Sequence, residues 1–303
     1  MLEPVLAAIS YKPIPIFELG PVNLSLHGVF AAIGFLVGGS LIVRQARRRG
    51  FDPEIPISGL TWAVLASIVG ARLFTVPAHL GDAGYGLDDI FGLAGDFSIL
   101  GGYAGGIIVG LWRIKWLGGD LAAFGDMAGP GLALGAVIGR IGDLAIVEHI
   151  GSRTDFFLGY ELKAGYDVAP QHDGLELLCE SLGQCGPYHH SALYDLLGAA
   201  VLLGVLLWLV RAWKGRHYGQ IFALWTLWYG FQRFLIDFTR LEAAKDGTVA
   251  DSVMGPFTGS QWGGLLTASL GIAMFLWFRR KPVVTADGDL ALGADPDLVT
   301  AKF

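Results

Sequence analysis

Charge is what this chain has least of. Only 16% of its 303 residues are charged, against roughly 25% in an average soluble domain, while 53% are hydrophobic. Such a balance excludes an ordinary water-soluble domain and predicts a membrane protein. Cysteine is nearly missing: two in the whole chain cannot staple a disulfide scaffold, and neither has neighbours arranged as zinc ligands. A net charge of −6, with no basic stripe, gives nucleic acid no footing. No three-residue period accompanies the 45 glycines, so collagen is excluded and glycine is left to serve close helix packing in lipid.

Seven stretches approach the roughly 20 apolar residues that a transmembrane helix needs. They run approximately Leu24–Val43, Ser58–Ala78, Ser98–Trp112, Leu121–Val147, Ser191–Leu209, Gly219–Thr239 and Trp262–Phe278. The first 20 residues lack a basic n-region with a cleavage site and read as an interfacial arm, not a removable signal peptide. Basic residues concentrate after alternate spans, as Arg44, Arg47, Arg48 and Arg49, then Arg113 and Lys115, then Arg211, Lys214 and Arg216, then Arg279, Arg280 and Lys281. The positive-inside rule places the N-terminus outside and the C-terminus in the cytoplasm, a parity that seven spans satisfy.

The fold expected is an all-α polytopic membrane protein of seven transmembrane helices, one domain over residues 1–281. A long outer-face segment covers 149–190, and the acidic tail 282–303 is expected to be a disordered cytoplasmic end. Cys179 and Cys185 fall in the outer segment, where a disulfide closing a small loop and two unpaired thiols are both open.

Ionisable groups inside hydrocarbon mark a site or a buried structural pair, and here they gather at one level. Arg72 lies in the outer third of the second span, Arg140, Asp143 and Glu148 at the end of the fourth, and Arg233, Asp237 and Arg240 at the exit of the sixth. His27 begins the first span, and His189, His190, Tyr194 and Asp195 begin the fifth. Arg233 and Asp237, four apart, share a helix face, as do Asp237 and Arg240. Any one such pair could be structural. Three arginines, Arg72, Arg140 and Arg233, set against few fixed carboxylates point instead to an anion pocket, because the guanidinium keeps its charge and its fork matches phosphate oxygens. An anion reached from the outer leaflet is most simply a phospholipid headgroup.

Gly34 with Gly38, and Gly131 with Gly135 and Gly139, form small-xxx-small stripes whose favoured explanation is packing. The run from Gly101 to Gly106 lacks the Walker pattern of a nucleotide loop. A retinal photoreceptor is excluded, because the last span contains no lysine. A transporter should carry polar residues to both membrane faces, whereas the inner halves here are nearly uncharged.

At Gly139-Arg140-Ile141-Gly142-Asp143, continuing to Glu148 and Gly151, the sequence resembles the signature of the prolipoprotein diacylglyceryl transferases. The likeness continues through Gly70-Ala71-Arg72-Leu73, Gly101-Gly102 with Gly105-Gly106, Asp126, His190-Ser191 with Leu193-Tyr194-Asp195, and Tyr229-Gly230 with Arg233, Asp237 and Arg240. It implies an enzyme of the bacterial plasma (inner) membrane, with its site toward the outer leaflet and no cofactor or metal. That enzyme would move an sn-1,2-diacylglyceryl group from phosphatidylglycerol to the lipobox cysteine of a preprolipoprotein. By motif position, Arg140 would bind the headgroup and Arg233 would stabilise the leaving phosphate. Asp143, Glu148 and Gly151 would shape the site, beside Asp237, Arg72, Arg240, Gly101, Gly102 and Tyr194. The sequence departs from the pattern at Leu100, where His or Tyr is usual, at Asp143 for Asn, at Asp237 for Glu, and at His27, where Tyr is common. His27 or His190 could then replace the missing thiol-proton acceptor. The competing expectation is a member that binds an outer-leaflet lipid without catalysis.

Overall fold

Seven long helices carry the described part of the chain: α1 (Leu26–Arg48), α2 (Glu54–Leu73), α3 (Ile99–Trp116), α4 (Leu121–Ala145), α5 (Ser191–Ala212), α6 (Gln220–Asp237) and α7 (Gly259–Phe278). The computed structural model describes residues 9–14, 17–19, 22–76, 98–163, 166, 187–240, 253–295 and 297. Cys179 and Cys185, with the disulfide question, lie outside these residues, as do the acidic residues Asp82 to Asp96.

Several helix starts follow from local chemistry. Ser25 caps α1, Ser98 caps α3, Asp120 takes the Ala122 and Ala123 N–H groups at 2.9 Å, and Thr258 with Gln261 forms a capping box on α7. The start of α6 is satisfied from elsewhere, because Asp126 of α4 accepts from the Ile221 N–H at 2.9 Å. Among the described residues α1, α2, α4, α5 and α7 are long and apolar enough to cross a membrane. The other two have 18 residues each and are diluted by polar groups, Arg113 and Lys115 in α3 and Gln232, Arg233 and Asp237 in α6.

Glycine sets how these helices pair. A Cβ on Gly34 would stand 2.6 Å from the Gly135 carbonyl oxygen, and one on Gly38 would collide with that of Gly131, so α1 and α4 touch backbone to backbone. Gly70, Gly101 and Gly105 do the same between α2 and α3, and Gly230, Gly264 and Gly271 between α6 and α7. In hydrocarbon, where no hydrophobic drive separates helix from lipid, such close approach supplies the attraction. Gly139 departs from the expected stripe, since a Cβ there meets nothing within 4 Å. Gly38→Ala is accordingly expected to cost about 1–3 kcal/mol through overpacking, and Gly139→Ala to leave the melting temperature unchanged. Thermal denaturation of the two variants in one detergent checks the contrast.

Two features differ from the all-α expectation. A small head joins β3 (Ile150–Arg153), β4 (Tyr160–Glu161) and β5 (Pro187–His190) in the order β3-β5-β4, with Val147, Ile150, Tyr160, Leu162 and Tyr188 as its core. Ile9 pairs with Gly159 and Glu161, and the Ile14 N–H reaches the Ala145 carbonyl at 2.9 Å, so the N-terminal arm straps the head to the end of α4. Two short hairpins, β1 with β2 (Phe17–Leu19, Val22–Leu24) and β6 with β7 (Val253–Met254, Phe257–Thr258), precede α1 and α7.

At the opposite end, the segment expected to be disordered folds back as α8 (Ala286–Ala291) over the part that is described. Asp289, fully buried, receives Arg49 and, at 2.9 Å, the Tyr218 hydroxyl. Acidity in that tail therefore neutralises a buried arginine instead of keeping the segment in water.

Candidate active site

The end of α4 builds the site. The Val147 N–H returns to the Leu144 carbonyl at 3.1 Å and the Glu148 N–H to that of Asp143 at 2.9 Å, closing the helix with Val147 at φ 53° and His149 at φ 63°. A left-handed β-branched residue costs on the order of 1–2 kcal/mol. Burial of the Val147 side chain in the head core offsets that cost. The turn throws Glu148 back over the helix end toward α1.

Gly142 completes the approach. A Cβ there would lie 2.9 Å from the Leu26 carbonyl oxygen and 3.0 Å from the His27 Cα, so the first turn of α1 rests directly on α4. His27 Nδ1 consequently meets Asp143 Oδ1, with Glu148 Oε2 at 3.3 Å. Two carboxylates on its Nδ1 side hold a proton on that nitrogen, on a side chain that is 48% exposed. Asp143 itself is buried at 2%.

Arg140, one turn before Asp143, is gripped from two sides. Its Nη1 donates to Asp143 Oδ2 at 2.5 Å and its Nη2 meets Asp195 Oδ2 of α5 at 3.0 Å. Asp195 is held in turn by Gln232, whose Nε2 donates to the Asp195 carbonyl at 3.0 Å and to Oδ1 at 3.1 Å, while Trp228 Nε1 donates to Gln232 Oε1 at 2.7 Å. One polar chain therefore crosses α1, α4, α5 and α6. On the neighbouring face Arg233 Nη2 donates to Ser260 Oγ at 2.6 Å and lies 3.5 Å from Asp237 Oδ1, and Asp237 accepts from the Thr258 hydroxyl. Tyr229, one turn before Arg233, is within electrostatic reach of both Arg140 and Arg233.

These contacts correct the expectation of arginines set against few carboxylates. Arg140 has two carboxylate partners and Arg233 has one, so the guanidiniums are preoriented by fixed charge. Only their remaining N–H donors are left to meet an anion.

The other predicted site residues have the following surroundings. Gly101 sits in the α2–α3 seam, and Gly102 faces Ser67 and Ala71 across it. Gly151 packs on the Thr239 carbonyl, where the Ser152 N–H also bonds at 2.8 Å, so it fastens the head to the end of α6. Tyr194 bonds His189 at 3.0 Å and packs edge-on to Phe156. Arg72 is buried in the last turn of α2, Arg240 stands in the turn after α6, and Leu100 is in the first turn of α3. Asp195 stands in the sequence among the polar groups of one level with no partner assigned, and Gln232, Ser260 and Thr258 are signalled by no periodicity.

His190 is buried at 1% exposure under the arm. Tyr11 gives its hydroxyl proton to the Leu144 carbonyl at 2.5 Å, so His190 Nε2 must donate to the Tyr11 oxygen at 2.9 Å. Burial pushes the imidazole down to about 4 and the Tyr11 phenol up to about 12. Such a histidine is a structural donor, not an accessible base. Between the unfolded value of about 6.5 and the folded one, the unfolded chain binds a proton that the folded chain refuses. Stability is thus lost as pH falls through that window, by roughly 3 kcal/mol at its foot. The melting temperature should drop less on acidification in His190→Gln than in the parent.

His27, Asp143 and Glu148 have ligand atoms within 4.8 Å of one another. His27 and Asp143 are hydrogen-bonded to each other, and the second Asp143 oxygen accepts from Arg140.

Apolar membrane-length helices with a histidine, carboxylates and arginines in contact at one end define a polytopic membrane protein with a polar, charged site. Residues 15–277 match the family of prolipoprotein diacylglyceryl transferases, and the chain belongs to that family. Relatives named phosphatidylglycerol–prolipoprotein diacylglyceryl transferase include one from Frankia alni, 29% identical over 97% of this chain and 74% of its own. Another, from Corynebacterium diphtheriae, is 30% identical over 79% of this chain and 85% of its own. A third, from Thermosynechococcus vestitus, is 28% identical over 88% and 93%.

Proposed function

We propose that this chain transfers the sn-1,2-diacylglyceryl group from phosphatidylglycerol to the lipobox cysteine thiol of a preprolipoprotein, with His27 as the thiol-proton acceptor. Family membership supports the reaction. The observation that supports the role of His27 is its Nδ1 contact with Asp143 and Glu148 on a half-exposed side chain. Two of the four departures from the family pattern, His27 and Asp143, thus meet in one contact.

The thiol proton passes to His27 Nε2, and the two carboxylates stabilise the imidazolium that forms, as in other carboxylate-oriented histidines. The sulfur attacks the glycerol carbon that bears the phosphate ester. As the S–C bond forms, the C–O bond breaks and its electron pair stays on the phosphate oxygen, releasing glycerol phosphate. Arg140 and Arg233 meet the charge that develops there, and preoriented donors in a dry site favour the transition state. The proton on His27 returns to the released phosphate or to water.

The bundle spans the bacterial plasma membrane seven times in this reading, with the N-terminus and the head outside and the Arg49 end in the cytoplasm. In a cysteine-free background, a cysteine replacing Glu161 should react with an impermeant thiol reagent on intact cells and one replacing Arg48 should not. The reverse pattern would move the site to the inner leaflet. The decisive assay for the reaction incubates the purified protein with phosphatidylglycerol and a lipobox peptide. A diacylglyceryl mass increase on the peptide cysteine is expected, and no increase under any condition would overturn the reaction.

A further inference from the structure

Arg44 and Arg47 belong to no part of the site above. They lie on the last turns of α1, and neither forms an ion pair among the described residues. Their neighbours at the same end are engaged: Arg49 holds Asp289, and Arg113 donates to Ser58 at 2.8 Å and covers the Trp116 ring. Asp52, the nearest acid in sequence, is turned to the Glu54 N–H at 2.9 Å.

Both arginines line the mouth of a groove of about 730 Å³ between α1 and α2, whose walls include Phe35, Leu36, Val43, Leu60, Val64 and Leu65. Two hydroxyls in the wall, Ser40 and Thr61, are spent on the Leu36 and Ile57 carbonyls of their own helices at 2.7 and 2.8 Å. The groove therefore offers apolar walls along its length and two cations at one end. Both helices are of membrane-crossing length and composition, so the groove opens to hydrocarbon.

We propose that this groove holds an anionic phospholipid, one acyl chain lying between α1 and α2 and the phosphate on Arg44 and Arg47. A free anion would leave the apolar walls uncovered, and a zwitterionic headgroup would bring its own cation against two guanidiniums. The site is separate from the transfer site, because 17 residues of helix between His27 and Arg44 span roughly 25 Å, most of the thickness of a hydrocarbon core. Its occupant comes from the opposite leaflet. The lipid also has a mechanical place, since α1 and α2 meet near Gly39, where a Cβ would stand 3.3 Å from Leu60, and the groove leaves the rest of that seam open.

Native mass spectrometry of the full chain, with phosphatidylserine titrated in detergent, reads occupancy directly. Two arginines near a membrane surface contribute about 1 kcal/mol each, so Arg44→Gln with Arg47→Gln should bind phosphatidylserine roughly thirtyfold more weakly. Ser40→Trp, which fills the groove and keeps both charges, should lose the same lipid adduct. The parent should bind phosphatidylcholine no better than the double variant does. Equal phosphatidylserine binding in parent and double variant, unchanged binding in Ser40→Trp, or displacement of the lipid by glycerol phosphate alone would each overturn the proposal.

Discussion

Arg140→Ala is expected to abolish transfer and to weaken the fold together, because the guanidinium holds Asp143 on one side and Asp195 on the other. Breaking a fully buried pair costs about 3–5 kcal/mol. The Arg140 side chain is 28% exposed, so solvent screening lowers the expected loss to about 2 kcal/mol. The two effects separate in a second variant. Arg140→Ala with Asp195→Asn removes one stranded carboxylate and should recover most of the melting temperature, while transfer stays at least 10²-fold down for want of a donor at the phosphate. Arg140→Lys should also transfer poorly, since an ammonium cannot fork between two carboxylates and still present planar donors. Parental activity in the double variant would remove Arg140 from the chemistry and leave it as a brace.

His27→Ala should lower transfer by about 10² to 10⁴-fold at neutral pH, the usual worth of a positioned base. The informative reading is the pH profile. A cysteine thiol has a reference pKa of about 8.5, and above that value the substrate supplies its own thiolate. The variant should therefore regain much of the lost rate as pH rises, while the parent changes little over the same range. Adding Leu100→His, which restores the group usual in the family at that position, should recover part of the neutral-pH rate. An unchanged rate and profile in His27→Ala would show that the arginines alone suffice.

Most of this architecture was legible in the sequence because lipid enforces simple rules. Apolar runs marked the long helices, though α3 and α6 fall short by composition, and the position of charges within the runs marked one end as polar. The Arg140–Asp143 contact follows from a three-residue spacing on one helix. His27 was found as a polar residue at the right depth, but its partners lie more than 100 residues away, and no local period encodes such a meeting. The same holds for Asp195 on Arg140 and Gln232 on Asp195. The head escaped notice because strands of two to four residues are too short to display alternation. The tail escaped because an acidic segment without periodicity reads as solvated, and Asp289 becomes structural only when Arg49 and Tyr218 enclose it. Gly139 fits the stripe of its neighbours by spacing alone, and its exposure to open space was invisible there.

The glycine contacts have a mechanical meaning. Helices fused backbone to backbone move as one beam, and Arg140 rides on the beam made by α1 and α4 while Arg233 rides on the one made by α6 and α7. The two guanidiniums therefore belong to different beams, linked by side chains through Asp195 and Gln232, whereas His27 and Asp143 meet within one.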